Sequence, residues 1–214
     1  GPWVLSYRYV TLPVDLALRV EKIEPQIAVD ALVHAAVDPE YLSLVWPAVY
    51  TIEKAGVFRL ELDVPPGYEV RGVHGMAIAG ATAAVVEGHR LEGDTAPHLI
   101  VNLGRKAQGK VGLAVTLHRR LDAPDLQSPT GRSAEVAIRV PRVAGPGIEH
   151  ASGRLVVRAA ESLRVNPGEV QGLRSTSFKE ALGGLTAARE HAPAAMRPVL
   201  AFTYAQEEVA ASLA

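Results

Sequence analysis

The amino-acid sequence predicts an all-β fold, an antiparallel β-sandwich, and three observations carry that prediction. Large apolar residues recur with a period of two in one segment after another. Proline- and glycine-rich turns separate those segments. At most one short helix is expected, near residues 177–191, although the tail "QEEVAASLA" also has helix-favouring composition. Period-two alternation puts every second side chain on one face of a strand, and a sheet with one buried and one wetter face is the usual unit of a sandwich.

Taken in chain order, Val14, Leu16, Leu18 and Val20 alternate with Asp15, Ala17 and Arg19 and predict a first strand. The stretch from Pro25 to Val37 is read as a strand because β-branched Ile27, Val29 and Val33 fit the alternation, although its alanines also suit a helix. Phe58, Leu60, Leu62 and Val64 share one face of a further strand, which Pro65-Pro66-Gly67 ends sharply. Leu99 to Leu103 and Val111 to Leu117 are expected as hairpin partners joined by the glycine-containing basic loop "GRKAQGK". A polar, turn-rich connection over 122–132 marks a sub-boundary if the fold consists of two sub-sandwiches. Val136, Ile138 and Val140 then alternate again, before Gly145-Pro146-Gly147. Ser177-x-x-Glu180 has the spacing of a capping box at the start of a short helix that Gly183-Gly184 interrupts.

The ends raise a separate question. "VLSYRY" at 4–9 is echoed by "VLAFTY" at 199–204, so 199–214 is expected either to close the sandwich spanning 3–198 or to open a further repeat. Gly1-Pro2 reads as the remnant of a cleaved affinity tag.

Composition narrows the function. The net charge is −1 and the basic residues are scattered, so the dense positive face of a nucleic-acid binder is missing. No apolar run approaches the ~18 residues of a membrane span. With no cysteine there is no thiolate nucleophile, disulfide or zinc–thiolate site. The seven histidines form no compact metal-ligand pair, and neither a metal nor another cofactor is expected. "GRKAQGKV" nearly matches G-x-x-x-x-G-K-S/T, but Val111 stands where the Mg²⁺-binding hydroxyl belongs, and a strand pattern follows instead of a helix. Glu61 and Asp63 share the polar face of one strand, which reads as a solvated face rather than a catalytic pair. No nucleophile elbow is present, and Ser175, Thr176 and Ser177 fit helix capping. No catalytic residue is assigned. Of the aromatics crowded into the first fifty residues, Trp3, Tyr41, Trp46 and Tyr50 are the candidate ligand-binding residues, as stacking surfaces for a sugar ring; core packing is the competing role.

"YTIEKAGVFRLELDVPPGYEVRGVHG", residues 50–75, carries an alternating strand into a P-x-G-Y/W-x-V turn and directly into the next strand, and "IRVPRVAGPGIEHASGRLVV", residues 138–157, repeats the style. These stretches resemble the immunoglobulin-like or macroglobulin-like sandwich repeats of large bacterial envelope and secreted proteins, without the thioester cysteine of macroglobulins. The resemblance implies an extracytoplasmic spacer and docking module. The expectation is therefore a non-catalytic structural and protein-interaction module whose partners are neighbouring domains or another protein. The alternatives are a carbohydrate-binding module, with a glycan as partner, and an enzyme whose residues converge only in three dimensions.

Overall fold

The computed structural model describes residues 7–8, 10, 13, 15–128, 133–183, 196–205 and 210–213. The chain is all-β, with two one-turn helices among the described residues. Its strands are β1 (Gln26–Val37), β2 (Tyr41–Asp63), β3 (Glu69–Gly75), β4 (Thr82–Ala83), β5 (Val86–Glu92), β6 (His98–Arg120), β7 (Val136–Arg139), β8 (Arg142–Ala144), β9 (Ile148–Ala159), β10 (Pro167–Gln171), β11 (Leu173–Ser175), β12 (Arg197–Ala205) and β13 (Ala210–Leu213). The main sheet runs β11-β12-β9-β1-β2-β6-β3, with β4 and β5 added on β6 and β8 on β2; β10, β13 and β7 form a separate three-stranded sheet.

Two 23-residue strands, β2 and β6, organise the molecule. They pair antiparallel from Tyr41↔Arg120 to Asp63↔His98 and bend together midway. At the bend β2 bulges between Ile52 and Val57, and β6 bulges between Asn102 and Ala107. The two irregularities cancel, because seven residues separate the flanking pairs Ile52↔Gly109 and Arg59↔Asn102 on each strand. The inward set therefore stays inward across the bend: Trp46, Tyr50, Ile52, Leu60 and Leu62 on β2, and Leu99, Val101, Val111 and Leu113 on β6, are all buried. Lys54 and Gly109 take positive φ at the bend, and Gly56 lies so close to the Ala107 carbonyl that a Cβ would sit 2.6 Å from it.

This geometry corrects one sequence expectation. Leu99–Leu103 and Val111–Leu117 are not hairpin partners but two arms of the single strand β6, and "GRKAQGK" is its bend rather than a loop. Both arms find their partner in β2, whose own length no local pattern announced.

A second correction concerns residues 14–20. Residues 15–20 form no strand, and Leu16, Leu18 and Val20 are 59%, 63% and 85% exposed, while Val14 lies outside the described residues. Pro25–Val37 is a strand as expected, and Leu60, Leu62 and Val64 are buried together while Phe58 is exposed. The sheet is mixed rather than wholly antiparallel: β1 runs parallel to β9, which a chain can do only with a long intervening connection. The helix α1 (Pro124–Gln127) occupies part of the stretch expected as a turn-rich connection. The helix α2 (Phe178–Ala181) begins at Ser177, whose hydroxyl accepts from the Glu180 amide at 3.2 Å, as the capping-box spacing predicts. Residues 184–195, Trp3 and most of the 4–9 copy of the terminal echo lie outside the described residues. The 199–204 copy falls within β12, which pairs antiparallel with β9 of the main sheet.

One face of the sheet carries the larger core cluster. The other face carries Leu32, Val49, Ala114, Val156 and Ala201, covered by Met76, Ile78 and Ala81 and by Ala181 of α2. The 76–84 segment crosses that face closely. The Gly112 carbonyl accepts from the amides of both Met76, at 3.0 Å, and Ala84, at 2.9 Å, and a Cβ on Gly112 would lie 2.0 Å from the Met76 carbonyl oxygen. Overpacking of this kind costs on the order of 1–3 kcal/mol, and both hydrogen bonds share the strained position. Gly112→Ala is expected to lower the melting temperature by about 4–10 °C, since in a chain of this size ~1 kcal/mol moves the midpoint by about 2–4 °C; an unchanged melting temperature in differential scanning calorimetry would show that the crossing is not close.

Candidate functional site

The principal cleft of the described structure, about 560 Å³, lies between the larger core face of the main sheet and a layer made by the turns after β2 and β5 and by the 139–143 segment. Its wall on the sheet side follows from small residues at matched register. Ala31 of β1 pairs with Ala48 of β2 and with Gly153 of β9, and Gly153 pairs with Tyr204 of β12. A Cβ on Gly153 would lie 2.4 Å from the Tyr204 hydroxyl oxygen, so the phenol lies across the glycine, where any larger residue would exclude it. Val29, Trp46 and Ala151 line the same wall. The opposite wall is framed by Pro65, Pro66, Pro97 and Pro141. Proline fixes φ, so this wall is held in place before any ligand arrives.

Beside the charged Asp63, Arg139 and Arg142, the lining carries neutral polar side chains at Thr95, Ser152, Gln171 and Tyr204. The Trp46 indole is 1% exposed, and its N–H makes no hydrogen bond of good geometry. The Tyr204 hydroxyl lies close enough to feel that N–H, but their contact falls short of a full hydrogen bond. Burial pushes the Tyr204 pKa well above the ordinary phenol range, with the Trp46 N–H acting against it, so the hydroxyl is protonated at neutral pH.

At the rim, Asp63, the last residue of β2, accepts from Arg142 of β8 at 2.7 Å and bonds His98 Nδ1 at 2.9 Å. His98 Nε2 meets Glu61 Oε2 at 3.2 Å, and Glu61 also has Arg59 at 3.8 Å. His98 pairs in register with both Asp63 and Glu92, and Glu92 is bound by Arg90. Burial opposes ionisation of Asp63, yet hydrogen bonds from His98 and Arg142 outweigh it and hold the carboxyl below its usual range. The bond to Asp63 raises the His98 pKa against partial burial, and Glu61 adds to the rise. With a carboxylate on each ring nitrogen, the favoured state is the imidazolium, which leaves no free nitrogen to act as a general base. The cluster ties β2, β6 and β8 together electrostatically.

Among the described residues no group of three His, Asp or Glu side chains is placed to hold a metal. The sequence-derived aromatic candidates do not gather on one surface. Tyr41 is 39% exposed at the start of β2, five and nine residues from Trp46 and Tyr50 and so on the opposite face of the strand. Trp46 and Tyr50 are each 1% exposed and meet edge to face at 6.3 Å in the core. Burial pushes the Tyr50 pKa up as well. Of the four, Trp46 alone lines the principal cleft, and Trp3 lies outside the described residues. Asp63, His98, Arg139, Arg142 and Tyr204 do not stand out from sequence as a group. The signal that would have found the rim cluster is the pairing of Leu62 with Leu99, which sets Asp63 opposite His98; assigning Leu99–Leu103 to a different partner concealed it.

The sign of the pH dependence follows. The raised His98 pKa contributes stability that is complete below 6.5, the ordinary value, and is lost as pH rises through the folded-state pKa above it. The lowered Asp63 pKa contributes stability that is complete above 3.8 and is lost as pH falls through the folded-state pKa below it. Between these limits both contributions are present. Thermal melts across pH should therefore show wild type and His98→Gln differing most in that interval and converging as pH rises through the folded-state pKa of His98. A gap independent of pH would mean that His98 acts only through packing.

No family model matches the chain, and no curated protein matches it. Among solved structures, an M1 zinc metallopeptidase variant from Deinococcus radiodurans bound to a Tyr-Ser-Ala substrate aligns at 14% identity over 89% of this chain and 42% of its own, with a TM-score of 0.40. Two structures of native leukotriene A4 hydrolase from yeast, one described as from Saccharomyces cerevisiae, align at 12% and 11% identity over 88% of this chain and 29% of theirs, with TM-scores of 0.46 and 0.41. The chain thus spans less than half the length of each of these structures. The expectation of a non-catalytic structural and interaction module is corrected by this finding: the proteins whose β-rich parts it is similar to are enzymes, and none of the comparisons supports a spacer. The β-rich character of the expected family is supported, whereas none of these three structures is an immunoglobulin-like repeat.

Proposed function

We propose that this protein is a ligand-binding β-domain whose principal cleft receives a small molecule with an apolar body. The observation that carries the reading is the combination of size, lining and rigidity in one place. A cleft of about 560 Å³ is framed by four prolines on one side and by Trp46, Val29 and Ala31 on the other, with charged groups at Asp63, Arg139 and Arg142 and neutral polar ones at Thr95, Ser152, Gln171 and Tyr204. Binding sites for small molecules are usually preformed concavities of roughly 300–1,000 Å³ with a mixture of apolar lining and polar contacts. We place this role outside the cytoplasm, consistent with the turn style of residues 50–75 and 138–157.

N-phenylnaphthylamine, a neutral apolar dye that brightens in apolar surroundings, tests the reading. It is expected to bind wild type saturably. Binding should weaken at least about fivefold in Ala96→Trp, a change at an exposed lining residue that fills the cleft without touching the core. Equal dye binding by the two proteins, with equal melting temperatures, would place the dye elsewhere and sink the proposal.

A further inference from the structure

We infer that the ligand of this cleft is an amphipathic monocarboxylate, with its carboxylate at the mouth against Arg139 and its apolar body directed inward toward Trp46 and Val29. The inference rests on the reading of the cleft as a binding site and adds the chemical class.

Three charged side chains line the cleft: Asp63, Arg139 and Arg142. The lone carboxylate is already committed. Asp63 takes two hydrogen bonds from the Arg142 guanidinium, at 3.1 and 2.7 Å, and a third contact from His98. That leaves Arg139, the last residue of β7, which is exposed, acts electrostatically on the neutral Tyr68 phenol and forms no ion pair among the described residues. Among the described residues the lining therefore carries one uncompensated positive charge beside low-dielectric walls of valine, proline and tryptophan, and such walls focus the field onto a ligand at the mouth. A cationic ligand is disfavoured, because the available carboxylate would have to give up Arg142 and His98. A dianion is disfavoured too, since among the described lining residues Arg139 is the single cation not already matched. A guanidinium and a carboxylate match in planar geometry, and Arg is the residue that recognises carboxylates through paired N–H donors.

The apolar end is equally defined. Beside Arg139 the lining includes Val140, Pro141, Val29 and Trp46, with Thr95, Ser152 and Gln171 as neutral polar members and no ionised group on the sheet wall. Tyr204 stays protonated there for the reason given above. Among the described residues the site thus offers one unmatched charge beside a largely apolar lining with neutral polar groups, which is the complement of a molecule with one carboxylate and a hydrocarbon or aryl body.

Displacement of bound N-phenylnaphthylamine by phenylbutyrate and by its neutral counterpart phenylbutanol tests the inference in wild type and in Arg139→Gln. The carboxylate is expected to compete at least about tenfold more strongly than the alcohol in wild type, in line with the strength of a charge-assisted hydrogen bond. In Arg139→Gln that advantage should fall below about threefold while the alcohol competes as before. Equal competition by the two compounds in wild type overturns the carboxylate assignment and leaves the apolar cleft standing. An advantage that survives Arg139→Gln also overturns it, because the charge would then be read elsewhere. Failure of both compounds to displace a dye that does bind overturns the assignment as well, whereas failure of the dye itself to bind the cleft removes the underlying reading.

Discussion

The rest of the structure depends on the register between β2 and β6. Two strands of 23 residues cannot stay flat, and a bend normally costs alignment, since a slip of one residue turns the buried set outward. Here each strand carries its own bulge, offset so that the register lost at Val57 is recovered at Arg59. Positive φ at Lys54 and Gly109, together with the absent side chain at Gly56, makes the local geometry possible. The same ladder then has an apolar face on both sides of its bend, and the folded-over arm can face the sheet from which it came.

Everything at the cleft inherits that arrangement. One arm of β2 supplies Trp46 to the wall of the main sheet, and the other ends at Asp63 on the rim of the facing layer. A single strand therefore contributes to two sides of the same space. β1 and β9 run parallel beside it, which brings Ala31 and Gly153 to one level and clears the trough over which Tyr204 lies. Without the small residues the two layers would close into ordinary core, as they do around Leu42, Leu44, Leu117 and Leu155.

Electrostatics secures the joint. Asp63, Glu61, His98 and Arg142 come from three strands and meet where the folded-over arm adjoins β8. Each group is partly exposed, so the cluster contributes modestly to stability in absolute terms. Its larger consequence is local: among the described residues it commits the one carboxylate lining the cleft and leaves Arg139 as the unmatched charge.

Local chemistry by itself determined much of the architecture. Period-two alternation identified the strands around Val29, Leu62, Leu113 and Ile138, and the Ser177–Glu180 spacing identified the capped helical turn, because strand faces and caps are set by residues within a few positions of one another. Alternation alone misled at 15–20, where the pattern is present but no strand forms, and at 99–117, where a bend within one strand looked like a turn between two. Partner choice is the reason. Which strand lies beside which, and at what register, depends on contacts between residues tens of positions apart, and several pairings satisfy the same alternating pattern. The candidate site falls wholly on that side of the division. Asp63 and His98 are ordinary residues on their own strands, Gly153 and Tyr204 carry no signal along the chain, and Arg139 is one of many exposed arginines; only the folded sheet brings them to a common cleft and leaves one charge there unmatched.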